Sequence, residues 1–116
     1  MSEVVIYHNP KCSKSRETLA LLRAEGVEPR IILYLETPPE VETLDRILKL
    51  LKMEPRVLMR KKEAEYRALG IEGGSQSREE LLRIMVAHPI LIERPIVVKG
   101  DRAALGRPPE EVLKVL

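Results

Sequence analysis

The chain has 116 residues, enough for one hydrophobic core and too few for two, and its 20 basic and 18 acidic residues leave a net charge of +2. The basic residues are scattered among glutamates, and with no Trp or Phe and only Tyr7, Tyr34 and Tyr66 as aromatics there is little to stack on bases, so nucleic acid is excluded as a partner. A single cysteine cannot close an internal disulfide, Met1-Ser2-Glu3-Val4 lacks the runs of a signal peptide, and no apolar stretch approaches the roughly 20 residues that cross a bilayer. A soluble, cytoplasmic chain with no membrane partner is expected.

Val4-Val5-Ile6-Tyr7 reads as a strand covered on both faces, and Pro10 prevents a helix from starting early. A helix follows from Ser13 to about Glu25, closed by Gly26, and Ile31-Ile32-Leu33-Tyr34-Leu35 reads as a second buried strand, parallel to the first. Thr37-Pro38-Pro39 breaks this βαβ pattern. Val41, Leu44, Ile47, Leu48 and Leu51 then recur at helical spacing, and the basic stretch Met53 to Leu69 holds a short helix ending at Gly70.

Ser77 and Glu80 have the spacing of a capping box, opening a helix that turns Leu81, Leu82 and Met85 inward and stops at His88-Pro89. A strand at Ile96-Val97-Val98, a tight hairpin at Lys99-Gly100-Asp101-Arg102, a short strand near Ala103 to Leu105 and a last helix through Val112, Leu113 and Leu116 complete the chain. The order βαβ, helical insertion, ββα, with a thiol after the first strand, predicts an α/β protein of thioredoxin-like fold. We expect one domain over residues 1–116 with a helical insertion at about 38–88.

Cys12 stands between the first strand and the first helix, where free N–H groups and the helix dipole favour an anion, so it should ionise well below the roughly 8.5 of a free thiol. The polar and basic flanks from Tyr7 to Arg16 argue against a buried structural cysteine. The second position of a Cys-x-x-Cys pair is Ser15, so an oxidised or adducted Cys12 needs an outside thiol. A phosphatase-type loop would need arginine where Thr18 stands, and one Cys with two distant His cannot fill a zinc site, so no metal is expected.

His8 either biases the thiol or merely ends the strand, and Ser15 either donates to the thiolate or bonds its own backbone. Arg60 with Lys61 and Lys62 reads as a solvated helix face, Arg94 as a surface residue unless Pro95 turns it inward, and Arg107 as a capping or surface residue. Spacing alone selects none of these arginines.

Several ordered motifs nevertheless carry a likeness over nearly the whole chain. Tyr7 to Arg16, Ile32-Leu33-Tyr34-Leu35-Glu36, Leu58-Met59-Arg60-Lys61, His88 to Val98 and Gly106-Arg107-Pro108 together resemble the glutaredoxin-coupled arsenate reductase family (ArsC). With Ser13-Lys14 after the cysteine and an end at Leu116, the chain looks like the shorter, housekeeping-type members. The resemblance implies that Cys12 attacks arsenate, that Arg60, Arg94 and Arg107 bind the oxyanion, and that His8 and Ser15 stabilise the thiolate. It also implies no bound cofactor, glutathione as co-substrate, glutaredoxin as partner, and a chain acting as a monomer. Two other readings are a monothiol glutathione-dependent oxidoreductase with another substrate, and a binding module like the Spx regulators, which resemble this family and contact RNA polymerase. Spx-like chains usually carry a Cys-x-x-Cys switch or lack the arginine set, and this chain has neither property.

Overall fold

The computed structural model describes residues 3–116. The chain divides into two compact units, one formed by the stretch up to Thr37 together with Arg94–Leu116, the other by Pro38–Glu93.

The first unit contains β1 (Val4–Tyr7), α1 (Ser13–Ala24), β2 (Arg30–Ile32), β3 (Ile96–Lys99), β4 (Arg102–Leu105) and a 3-10 helix over Pro109–Val115. Its sheet has the order β2-β1-β3-β4, with β1 parallel to β2 and antiparallel to β3, and β3 antiparallel to β4. The parallel β1–β2 pair requires the α1 crossover, and the two-residue link at Gly100-Asp101, with Gly100 at φ +59°, makes the β3–β4 hairpin. Val4, Ile6 and Val97 share a core with Leu22 of α1 and with Val112 and Val115.

Helix α1 ends as its sequence predicts. Gly26 takes φ +79°, its N–H bonds Arg23 O, and the Val27 N–H bonds Leu22 O, which together form a Schellman cap. Two expectations need correction. The second strand stops at Ile32, because the N–H groups of Glu36 and Thr37 both fold back onto Leu33 O. It is also an edge strand, so Ile31 is exposed rather than buried on both faces. The final helix is 3-10, and its three-residue repeat aligns Val112 with Val115 on the core side and leaves Leu113 exposed.

The second unit contains α2 (Val41–Leu51), α3 (Pro55–Leu58), α4 (Ala64–Ala68), α5 (Arg78–Ala87) and two short 3-10 turns, Ile71–Gly73 and Pro89–Leu91. Leu44, Ile47 and Leu48 of α2 and Leu81, Leu82 and Met85 of α5 are all buried, and the two helices pack together. The short helix expected to end at Gly70 is α4, and Arg60 lies before it. Met59 forms an antiparallel bridge with Ile92, the Arg60 N–H bonds Leu91 O and the Glu93 N–H bonds Leu58 O, which holds residues 59–60 extended between α3 and α4. Arg60, Lys61 and Lys62 therefore lie in a connection, not on a solvated helix face.

The capping box forms as its spacing requires: Ser77 Oγ accepts from Glu80 N at 3.2 Å, and Glu80 Oε1 accepts from Ser77 N at 3.2 Å. Ser77→Ala should cost about 1 kcal/mol of stability, read as a lower urea midpoint at unchanged m-value. An unchanged midpoint would show that the cap contributes nothing.

Candidate active site

The site grows out of the end of β1. The N–H of His8 continues the parallel ladder to Ile32 O at 2.9 Å, and the chain then leaves the sheet. Asn9 shapes the turn: its backbone O accepts from Cys12 N at 3.0 Å, and its Oδ1 accepts from Lys11 N at 3.0 Å. Arg16 donates from Nη1 to Pro10 O at 3.0 Å, bracing the same loop from the first turn of α1. Cys12 arrives as the N-cap of α1, with extended backbone angles of −97° and 124°.

At an N-cap, N–H groups without intrahelical partners converge on the side chain. The Cys12 sulfur makes no tight capping hydrogen bond, so the N–H groups of Ser15 and Lys14 act on it as oriented dipoles. Burial pushes the Cys12 thiol up. The N–H of Ser15, the Arg94 guanidinium, the N–H of Lys14 and the Arg107 guanidinium all pull it down, and together they hold it below the ordinary thiol range. Arg107 Nη2 lies 3.8 Å from Cys12 Sγ, while its Nε donates to Arg94 O at 2.8 Å. One arginine thus orients the backbone of the other. Both peptide bonds that follow these arginines, to Pro95 and to Pro108, are cis.

His8 and Ser15 meet each other directly. Ser15 Oγ and His8 Nδ1 are 2.7 Å apart, both residues are buried, and Asn9 N donates to the same Ser15 oxygen at 3.0 Å. Burial first, then the positive charges of Arg23 and Arg16, hold the His8 pKa below its usual value, so the imidazole is neutral at pH 7. The structure therefore gives His8 the part of a neutral hydrogen-bond partner that ties the exit of β1 to the first turn of α1. It is the backbone N–H of Ser15 that acts on the sulfur, while its hydroxyl is engaged by His8 and Asn9.

Arg60 belongs to the 38–93 unit. There its Nη1 lies 2.8 Å from Glu63 Oε2 and its Nε 3.9 Å from Glu93 Oε1, so its charge is met by two carboxylates. Among the described residues, no group of three or more His, Cys, Asp or Glu is placed to hold a metal ion, and no helix is long and apolar enough to cross a membrane.

The fold and the site define a thioredoxin-like thiol protein whose single cysteine opens a helix beside two arginines. The chain belongs to the ArsC family, which it matches over residues 7–115. It is 54% identical over 115 residues to the uncharacterized protein YfgD of Escherichia coli K12, covering 98% of this chain and 97% of that one. It is 49% identical over 114 residues to an arsenate reductase of Haemophilus influenzae, covering 97% and 98%. Among solved structures, an arsenate reductase from Vibrio cholerae matches with a TM-score of 0.95 at 53% identity, covering 99% of this chain and 98% of that one.

Two measurements follow from these shifts. The rate of Cys12 alkylation by iodoacetamide should rise with pH through a midpoint below about 8.5, and Arg107→Ala should move that midpoint up; coincident curves would remove Arg107 from the site. For His8, the unfolded chain binds the proton more tightly than the folded one, so stability should fall as pH drops through 6.5 and level off below the folded-state pKa. His8→Gln should flatten that acid limb of a Tm-against-pH curve, and an identical limb in the variant would assign it to other groups.

Proposed function

We propose that the protein is an arsenate reductase in which Cys12 is the nucleophile and glutathione and glutaredoxin supply the electrons. The observation that carries this reading is the Arg107 guanidinium 3.8 Å from Cys12 Sγ, with Arg94 acting on the same sulfur. A thiolate repels an anionic substrate, so attack on an oxyanion requires positive donors at the same place. Guanidinium groups supply permanent charge and planar, bidentate donor geometry. The start of α1 adds a favourable dipole for the oxygens.

The chemistry then runs in three displacements. The Cys12 thiolate attacks arsenic(V) to form an S–As bond, and one arsenate oxygen is protonated and leaves as water. A glutathione thiolate attacks the Cys12 sulfur; the S–As electron pair passes to arsenic, which leaves as arsenite, and Cys12 remains in a mixed disulfide with glutathione. A glutaredoxin thiolate attacks the glutathione sulfur and frees the Cys12 thiolate. Ser15 stands where a resolving cysteine would be, which supports an external thiol in the second step. A cytoplasmic location fits this need for reduced thiols.

This reading is supported by Arg107, which lies against the sulfur, by the charge of Arg94, whose backbone Arg107 holds, and by the arsenate reductases that the chain resembles. NADPH consumption in a mixture of the protein, arsenate, glutathione, glutaredoxin and glutathione reductase should require every component and vanish in Cys12→Ser. Arg94→Ala and Arg107→Ala should each lower kcat/KM for arsenate by about 10- to 100-fold, the loss of one charge-assisted contact. Absence of arsenate-dependent consumption, with Cys12 still alkylated readily at neutral pH, would contradict the substrate and favour a monothiol oxidoreductase acting on another compound.

A further inference from the structure

Gly106 is a glycine for want of space rather than for backbone freedom. Its φ is not in the left-handed region, unlike those of Gly26, Gly70, Gly74 and Gly100. A Cβ at Gly106 would lie 2.6 Å from Thr18 Oγ1, 2.7 Å from Pro95 Cγ and 3.3 Å from Pro95 Cδ, whereas one at Gly26, Gly70, Gly73 or Gly74 would meet nothing within 4 Å. Neither neighbour can easily give way. Thr18 is fully buried and its Oγ1 donates to Lys14 O at 2.8 Å, and the proline ring is fused to the backbone that carries Arg94.

Three segments of the site thus converge on one missing side chain. Thr18 belongs to α1, whose N-cap is Cys12; Pro95 follows Arg94; and Gly106 precedes Arg107. The Gly106 N–H donates to Pro95 O at 2.9 Å, and one residue later Arg107 reaches both Arg94 O and the Cys12 sulfur. We propose that Gly106 is a positioning residue, whose lack of a side chain lets the end of β4 seat against Thr18 and Pro95 and so sets the Arg107 guanidinium against Cys12. A Cβ there must move the 105–107 backbone away from α1 and the Pro95 turn, and Arg107 moves with it.

The inference rests on the reading that Arg107 serves the Cys12 thiolate, and its test needs no arsenate. The pH dependence of Cys12 alkylation is measured for the wild type, Arg107→Ala, Gly106→Ala and Val4→Ala. Val4 is a buried β1 residue at the strand end away from His8, so Val4→Ala reports simple loss of core packing. Gly106→Ala should move the alkylation midpoint up towards that of Arg107→Ala, while Val4→Ala lowers Tm and leaves the midpoint in place. The double variant Gly106→Ala/Thr18→Ala removes the 2.6 Å contact and should bring the midpoint part of the way back. It also provides the reading if Gly106→Ala alone does not fold. In arsenate turnover, Gly106→Ala should lower kcat/KM by about 10- to 100-fold, the scale expected of a displacement near 1 Å. A wild-type midpoint in Gly106→Ala, or in the double variant where the single one does not fold, would overturn the proposal. Loss of arsenate turnover in the wild type would refute the substrate and leave the midpoint comparison intact.

Discussion

Burial opposes charge on Cys12, and the rest of the site is arranged to outweigh it. Cys12 is only 8% exposed, a setting that by itself favours the neutral thiol. Against this stand the N–H groups at the start of α1 and two guanidinium groups from segments more than 80 residues further along the chain. The helix terminus provides oriented dipoles, and Arg94 and Arg107 provide full positive charges that also suit an approaching oxyanion. In the proposed reaction the thiolate repels its anionic substrate, and the groups that favour its ionisation would also hold the oxyanion.

The sheet makes this convergence possible. β1 sits between parallel β2 and antiparallel β3, so His8 at the end of β1 and Arg94 just before β3 come to the same end of the sheet. The β3–β4 hairpin then returns the chain past Gly106 to that same end, where Arg107 bonds Arg94 O. The Ser15–His8 contact ties the helix start to the strand exit. A neutral, buried imidazole suits this task, since an imidazolium would add a third positive charge that burial resists and that Arg16 and Arg23 repel.

What could be read from the sequence was what local chemistry decides. The strand before Cys12, the glycine stop at Gly26, the Ser77 capping box and the hairpin at Gly100 each depend on residues close together in the chain. The errors arose where distant contacts won. Residues 59–60 were claimed by the bridge to Ile92 and not by a helix, and the second strand was cut short by a turn at Leu33. The core of the site divides in the same way. Cys12, His8 and Ser15 fall within one short stretch, so their proximity was legible. Arg94 and Arg107 could not be selected from 20 basic residues by spacing, and only the ordered family motifs pointed to them. Asn9, Thr18 and Gly106 were missed. The one available signal for Gly106 was its place beside Arg107-Pro108-Pro109, and a sequence cannot show that a Thr and a Pro ring fill the space where its side chain would be.

In the proposed reaction, electrons pass from glutathione to arsenic through the Cys12 sulfur. Intact-mass spectrometry of the protein after incubation with arsenate and glutathione, in the absence of glutaredoxin, tests it most directly. A single glutathione adduct should map to Cys12, appear only when arsenate and glutathione are both present, and be released when glutaredoxin is added. An unmodified protein under these conditions, or an adduct that forms equally without arsenate, would contradict it.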